Sequence, residues 1–516
     1  MKDRFFILIV CIAFLIRLFS FVFTAIVNPD GVIYIHQARA IYYGLWDSIL
    51  GCGIGFLSNY PIFIVGAYAV VRDWVIAAKL VSLLFGTFTL VPLYLLLREF
   101  FRNQIALLAC LVFALIPVFV DKSVDLVRDP VYWFFLVFGL YFFVAQVGTR
   151  NRLYLILSNI FLLMAAWARI EAILFVLMSF PFILVAREDG RIEKLSFFAA
   201  PTVLVILSCL LGLMIFRISG ADLYRIDEIM GRVSAPMAGY RDVRGGLAEL
   251  MNQPLDNVLT GFLHKARNLV WFVALGTIVK YAITAFFYPF FLLFVIGLHG
   301  IRTRIKEDKR VLYLTLLSIS ALVLLYVQVL QTWMIYNRLF ALLILPSFIF
   351  IGFGLEKTIG FLRSKLHLRD PAVLIMVCLL ILASSLPEDL KPRETDKLVF
   401  KQIGQLIAEK EGNDKEIKVA TALPLIRWIS FYANLGYRGA PCPEKNYDLV
   451  LSLHRGYDTF LGKLKGRGIQ YVLWDEQHWP KESLAVMSAQ GSRDFIRLGD
   501  WHHPDTGNMI LFQVKQ

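Results

Sequence analysis

The sequence predicts a polytopic α-helical membrane protein with a C-terminal soluble α/β domain, on three observations. Of 516 residues, 58% are hydrophobic and only 18% charged, where soluble domains run nearer a quarter charged. Apolar runs of spanning length recur as far as residue 387, beyond which the composition becomes that of an ordinary soluble protein. The basic residues gather in alternate loops between those runs, as they do along the cytoplasmic face of membrane proteins.

The runs fall at 5–27, 74–97, 104–120, 131–148, 153–168, 170–186, 195–216, 281–300, 311–330, 339–355 and 371–387, which makes about eleven helices. The first begins with a basic start, but its apolar run is too long for a signal peptide and no small-residue cleavage site follows, so it reads as a retained helix. With a cytoplasmic N-terminus, the internal loops carry Arg98 and Arg102, Arg150 and Arg152, Arg187, Arg191 and Lys194, the cluster Arg302 to Arg310, and Lys357 to Arg369. The opposite face holds the loops 28–73, 121–130 and 217–280 and the whole tail 388–516. The stretch 61–71 is apolar but too short to span, and reads as an interfacial or re-entrant segment. A net charge of +13 would in a soluble protein raise nucleic-acid binding. Here its placement in short loops reads as topology instead.

The tail alternates helix and strand: helix 394–410, strand 417–421, helix 424–434, strand 447–453, helix 457–465, then strands 469–474, 495–501 and 509–514. That alternation argues for a small domain with a partly parallel sheet. The six cysteines show no zinc or disulfide-framework spacing. Cys52 and Cys442 share the outer, oxidising face and could pair, but sequence says nothing of their distance.

Charged residues cluster on that same face. Asp30 follows the first helix in NPDGVIYIHQARAIYYG, with Tyr34, His36 and Arg39 in the next turns. It reads either as a general base for an acceptor hydroxyl or as part of a helix start. The second loop, DKSVDLVRDPVYW, holds Asp121, Asp125, Arg128 and Asp129. Asp129 before Pro130 suits a helix start, yet a second carboxylate here could orient an acceptor or, with Asp30, hold a divalent cation such as Mg or Mn. Arg169 and Glu171 sit in a turn between hydrophobic runs, either as an internal ion pair or facing a polar cavity. Lys280, and Tyr336 with Arg338, lie at the outer boundary; such cations suit a phosphate leaving group or snorkel to lipid head groups. His264, Lys265 and Arg267 recur at helical spacing, as an amphipathic surface helix or a cover over a substrate cleft. Walker-type, dinucleotide, HExxH and GxSxG patterns are absent, so ATP-driven transport and serine hydrolysis find no support.

The order of Asp30 with YIHQARAIYYG, the Pro61 segment, AAKLVSLLFGTFTLVPLYLLLREFF, VRDPVYW, AWARIEA and YNRLFALLILPSFIF resembles the GT-C superfamily of membrane glycosyltransferases. The likeness is to the protein O-mannosyltransferase-like and aminoarabinose-transferase-like branch. The resemblance covers most of residues 1–355 and implies a catalytic module over 1–387 with a periplasmic domain at 388–516. It implies Asp30 and Asp129 as the loop acids, Arg169 and Arg338 near a lipid phosphate, and the bacterial inner membrane as location. The implied reaction is inverting transfer of a sugar from a polyprenyl-phosphate donor to a hydroxyl of a glycolipid, polysaccharide or protein. Two positions depart from the family pattern: Gly31 stands where a second acid is frequent, and Lys79 where an arginine is usual. The competing expectation is a transporter or flippase for a lipid-linked or polar solute, which predicts charges near the bilayer midplane.

Overall fold

A computed structural model describes the chain except residues 1, 25, 53–54, 150, 186–189, 217–233, 255, 368, 443–448, 450–451, 453–455, 481–482, 485–486, 488–492 and 516. Among the described residues, eight helices are long and apolar enough to cross a membrane: Arg4–Phe23, Trp74–Arg98, Asp129–Thr149, Arg191–Leu211, Asn257–Phe286, Lys309–Thr332, Asn337–Leu366 and Asp370–Asp389. Shorter apolar helices run over Tyr60–Val71, Asn103–Ala114, Leu153–Ala168, Ile170–Val185 and Tyr288–Leu298. Among the described residues each apolar run read from the sequence lies mostly on helix, with eight helices of spanning length where the sequence reading gives about eleven, and 61–71 lies in a short helix.

The structure departs from the sequence reading near residue 280. The surface helix expected around His264 and the start of the span expected at 281 form one helix of 30 residues, Asn257–Phe286, whose first turn is capped by Asp256 accepting from Leu259 N at 2.7 Å. It stops at Phe287, with φ 68°, and the chain resumes as Tyr288–Leu298 with Pro289 in its first turn. Pro289 has no N–H to donate to the Ala285 carbonyl and its ring would clash with that carbonyl, so Asn257–Phe286 cannot run on through it.

The chain divides into two compact units. One comprises Met1–Phe19, Ser82–Val124 and Arg128–Lys391; the other comprises Ser20–Val81, Asp125–Val127 and Pro392–Gln516. In the first, helix pairs close through small residues, the device that lets membrane helices approach without a hydrophobic force between them. Ser158 Oγ donates to the carbonyl of Gly139 at 2.8 Å, joining Leu153–Ala168 to Asp129–Thr149. Gly297 and Gly354 leave no room for a Cβ between Tyr288–Leu298 and Ala341–Leu366.

The second unit contains a four-stranded sheet in the order β1-β2-β4-β3, formed by Val419–Ala420, Tyr471–Asp475, Gly507–Val514 and Phe495–His503. Only β1 and β2 run parallel; β2–β4 and β3–β4 are antiparallel. Val472, Trp474, Phe512 and Phe495 pack with Phe460 and Leu464 of helix Tyr457–Gly466 as its core. Of the strand expected at 447–453 only Leu449 and Ser452 are among the described residues, and both are helical rather than extended. Helix Leu423–Ala433 packs on Leu398–Glu411, with Trp428 stacked on Phe400 at 5.3 Å.

Candidate active site

The chain enters the first loop through Ile26-Val27-Asn28 and starts helix Pro29–Tyr42 with an Asn28 cap, whose side chain accepts from Asp30 N at 2.9 Å. Pro29, with φ preset, occupies the first helical position. Asn28 therefore does the capping, and the half-buried Asp30 carboxylate sits in the first turn, where the helix dipole favours negative charge. Gly31 is explained by its neighbour: a Cβ there would overlap Leu126 of the second loop. The residue after Asp30 thus touches the residue after Asp125, and the tips of the two loops share one compact unit. Asp125 is 7% exposed.

Tyr34, His36 and Arg39 are buried in the same helix, and their contacts are internal to the fold. Tyr34 meets Tyr60 edge-on at 5.4 Å. His36 Nε2–H donates to the Ser48 carbonyl at 2.8 Å, beside Cys442, and burial pushes its pKa below 6.5. Arg39 donates to the carbonyls of Asn434 and Tyr437, and desolvation lowers its pKa to about 10. Cys52 and Cys442, whose pairing the sequence left open, form a disulfide with Cα atoms 5.3 Å apart, well inside the usual range. Lys79, in place of an arginine, donates to the carbonyls of Phe21 and Thr24 at 3.1 Å each, closing the end of the first helix. A compact ammonium with three donors suits that task.

In the membrane unit, Asp129 opens its helix and is 1% exposed, ion-paired to Arg169, which also binds Glu171 at 3.1 Å. Arg128 lies near enough to act on Glu171 electrostatically. Arg169 Nε, Glu171 Oε2 and Tyr132 Oη are buried without hydrogen-bond partners. The internal ion pair was one of the two sequence readings; the orphaned polar atoms around it are those of the other. Lys280 and Arg338 lie on adjoining elements, since Thr284 Oγ1, one turn from Lys280, donates to Asn337 Oδ1 at 3.1 Å. Arg338 stands over the exposed Tyr336 ring at 5.7 Å.

Three features escaped the sequence reading. Trp428 Nε1 donates to the Val27 carbonyl at 2.7 Å and Val27 N donates to Tyr432 Oη at 2.9 Å, so the tail grips the peptide three residues before Asp30. Burial pushes the Tyr432 phenol up to about 12. In the first helix Arg17, fully buried, donates to Ser123 Oγ and the Ala114 carbonyl at 3.1 Å each. It is the intramembrane charge a transporter reading would seek, but it serves as a clamp between helices.

As to metal, the one group of three or more ligating side chains found among the described residues is His36 with Cys52 and Cys442, whose sulfurs are bonded to each other. No such group includes Asp30, Asp125 or Asp129.

Comparison with known proteins agrees with this architecture. The family described as dolichyl-phosphate-mannose-protein mannosyltransferase matches residues 61–216. No curated protein matches the sequence. Among solved structures, ArnT from Cupriavidus metallidurans bound to undecaprenyl phosphate superposes with a TM-score of 0.59 at 14% identity, over 98% of this chain and 97% of that one. The oligosaccharyltransferase AglB from Archaeoglobus fulgidus, in complex with an inhibitory peptide and a dolichol-phosphate, gives 0.56 at 14% identity, over 99% of this chain and 74% of that one. The same enzyme in complex with Zn and sulfate gives 0.54 at 14% identity, over 97% of this chain and 72% of that one. The chain therefore shares the fold of these enzymes, and its residues 61–216 match the dolichyl-phosphate-mannose-protein mannosyltransferase family.

Proposed function

We propose that the protein is an inverting glycosyltransferase that moves a sugar from a polyprenyl-phosphate lipid to an acceptor hydroxyl of a glycolipid, polysaccharide or protein. The observation that carries this reading is the placement of Asp30: Asn28 does the capping, and the second loop is packed on the adjacent Gly31. The lipid class is supported by the undecaprenyl phosphate and dolichol-phosphate bound in two proteins of the same fold. The catalytic module would occupy 1–387 and the domain 388–516 would lie in the bacterial periplasm, the N-terminus being cytoplasmic. The basic inner loops and a disulfide, which persists in oxidising compartments, support that orientation.

In the proposed step Asp30 accepts the proton of the acceptor hydroxyl as its oxygen attacks the anomeric carbon from the side opposite the phosphate. The anomeric C–O bond breaks with its electron pair leaving on the phosphate oxygen, so configuration inverts. Arg169, already matched by Asp129 and Glu171, is assigned to holding the second-loop acid in place.

The test is transfer by membranes carrying Asp30→Asn against wild type at equal expression, with extracted cellular polyprenyl-phosphate sugars as donor. Loss of transfer by about a hundredfold or more with donor binding kept is the result expected of a general base. Full activity would remove Asp30 from the mechanism and make Asp129 the base to test.

A further inference from the structure

A cavity of about 500 Å³ in the loop-and-tail unit is not used by the reaction proposed above. Its lining comes from the first loop, from helix Leu398–Glu411 and from the turn after helix Leu423–Ala433. Tyr68 and Trp74 lie parallel with ring centroids 3.6 Å apart, and Tyr43 is tilted against Trp74 at 6.4 Å. Arg72 holds a left-handed backbone (φ 61°) between the helices bearing Tyr68 and Trp74, and its Nη1 donates to Tyr42 Oη at 2.9 Å. Across the cavity stand Glu409, Tyr437 and Arg438. The Tyr437 carbonyl is anchored by the buried Arg39, so this wall is fixed from behind.

The charges decide what such a cavity can take. Two guanidinium groups, Arg72 and Arg438, are balanced by two carboxylates, Asp73 and Glu409, all four exposed. A phosphate or other simple anion would gain from the arginines and lose to the acids at similar range. A neutral ligand with an apolar face and a ring of hydroxyls suits this lining: the half-buried Tyr43 and Tyr68 rings, Tyr68 backed by the buried Trp74, cover its C–H face, while carboxylates and guanidinium groups take hydroxyls in pairs. The volume lies within the range of small-ligand sites.

We propose that this cleft, whose lining does not include Asp30, is a carbohydrate-binding site for one or two neutral pyranose rings. It gives the tail a second task besides bracing the first loop, that of holding a glycan by a part remote from the transfer reaction.

The test is saturation-transfer NMR on the full chain in phosphatidylcholine nanodiscs, which carry no sugar headgroup to compete. Glucose, galactose, mannose, N-acetylglucosamine and their common disaccharides are the probes, with inorganic phosphate as the anion control. Saturable binding of at least one sugar is expected, weakened about tenfold or more in Tyr68→Ala and in Glu409→Gln, the second being an exposed change that spares the aromatic stack. Thermal midpoints of both variants report that the unit is folded. Absence of saturable sugar binding, sugar binding unchanged in both variants, or displacement of sugar by phosphate would each overturn the proposal.

Discussion

Gly31 shows how a single hydrogen side chain lets the second loop pack on the start of helix Pro29–Tyr42. A methyl group at this position would overlap Leu126, so the second loop would have to withdraw from the start of helix Pro29–Tyr42. Gly31→Ala should lower stability by about 1–3 kcal/mol, the usual cost of overpacking, and reduce transfer, whereas Asp30→Asn should abolish transfer with little change in thermal midpoint. Melting curves of the two purified variants separate the effects. His36 yields a pH prediction. The folded protein holds its imidazole neutral, with burial as the main cause and Arg39 adding repulsion to the charged form. The unfolded chain takes up a proton near pH 6.5 and the folded chain only below it, so stability present above 6.5 falls as the pH drops through that value. The thermal midpoint of wild type should decline on mild acidification, and that of His36→Gln should decline less. A steeper decline in the variant would remove His36 as the source.

At the scale of elements, helix Leu423–Ala433 acts as a brace for the first loop. Trp428 and Tyr432 satisfy the carbonyl and the N–H of Val27, and the turn after this helix receives Arg39. Replacing either ring by phenylalanine removes one hydrogen bond and leaves a backbone group of Val27 unpaired, at a cost of about 1–3 kcal/mol. Trp428→Phe should therefore speed proteolysis within 20–81 and lower the turnover rate more than donor affinity; equal protease resistance would refute the bracing role. The helices themselves were legible in the sequence, since a span needs about twenty apolar residues and few other patterns produce that. The brace was not: Val27 and Trp428, like Cys52 and Cys442 at a separation of 390 residues, meet through tertiary folding that no local periodicity encodes. Asp30 was legible as a candidate because it is an acid at the end of an apolar run. That Asn28 would take over its capping duty depends on which residue first adopts helical geometry, and the sequence Asn-Pro-Asp leaves that choice open.

For the whole molecule, the segments 20–81, 125–127 and 392–516 gather into one compact unit although hundreds of residues separate them in the chain. The sequence reading puts 28–73, 121–130 and the tail from 388 on the face opposite the basic loops, and a shared side of the membrane would produce such a gathering. The disulfide supplies an independent chemical constraint, because Cys52 and Cys442 remain oxidised only where no thiol pool reduces them. Orientation is therefore testable without any assay of transfer. Alkaline phosphatase, which folds only in an oxidising compartment, should be active when fused after Lys515 and inactive when fused after Arg102, in the first basic loop. In cells whose periplasmic thiol oxidation is disabled, Cys52 and Cys442 should become reactive to maleimide, and the thermal midpoint should fall with the loss of about 2–4 kcal/mol expected of a cross-link. The reverse pattern of fusions would put Asp30 on the side where nucleotide sugars are plentiful. The argument for a polyprenyl-phosphate donor would then lose its physical basis, because a lipid carrier is needed only where soluble activated sugars do not reach.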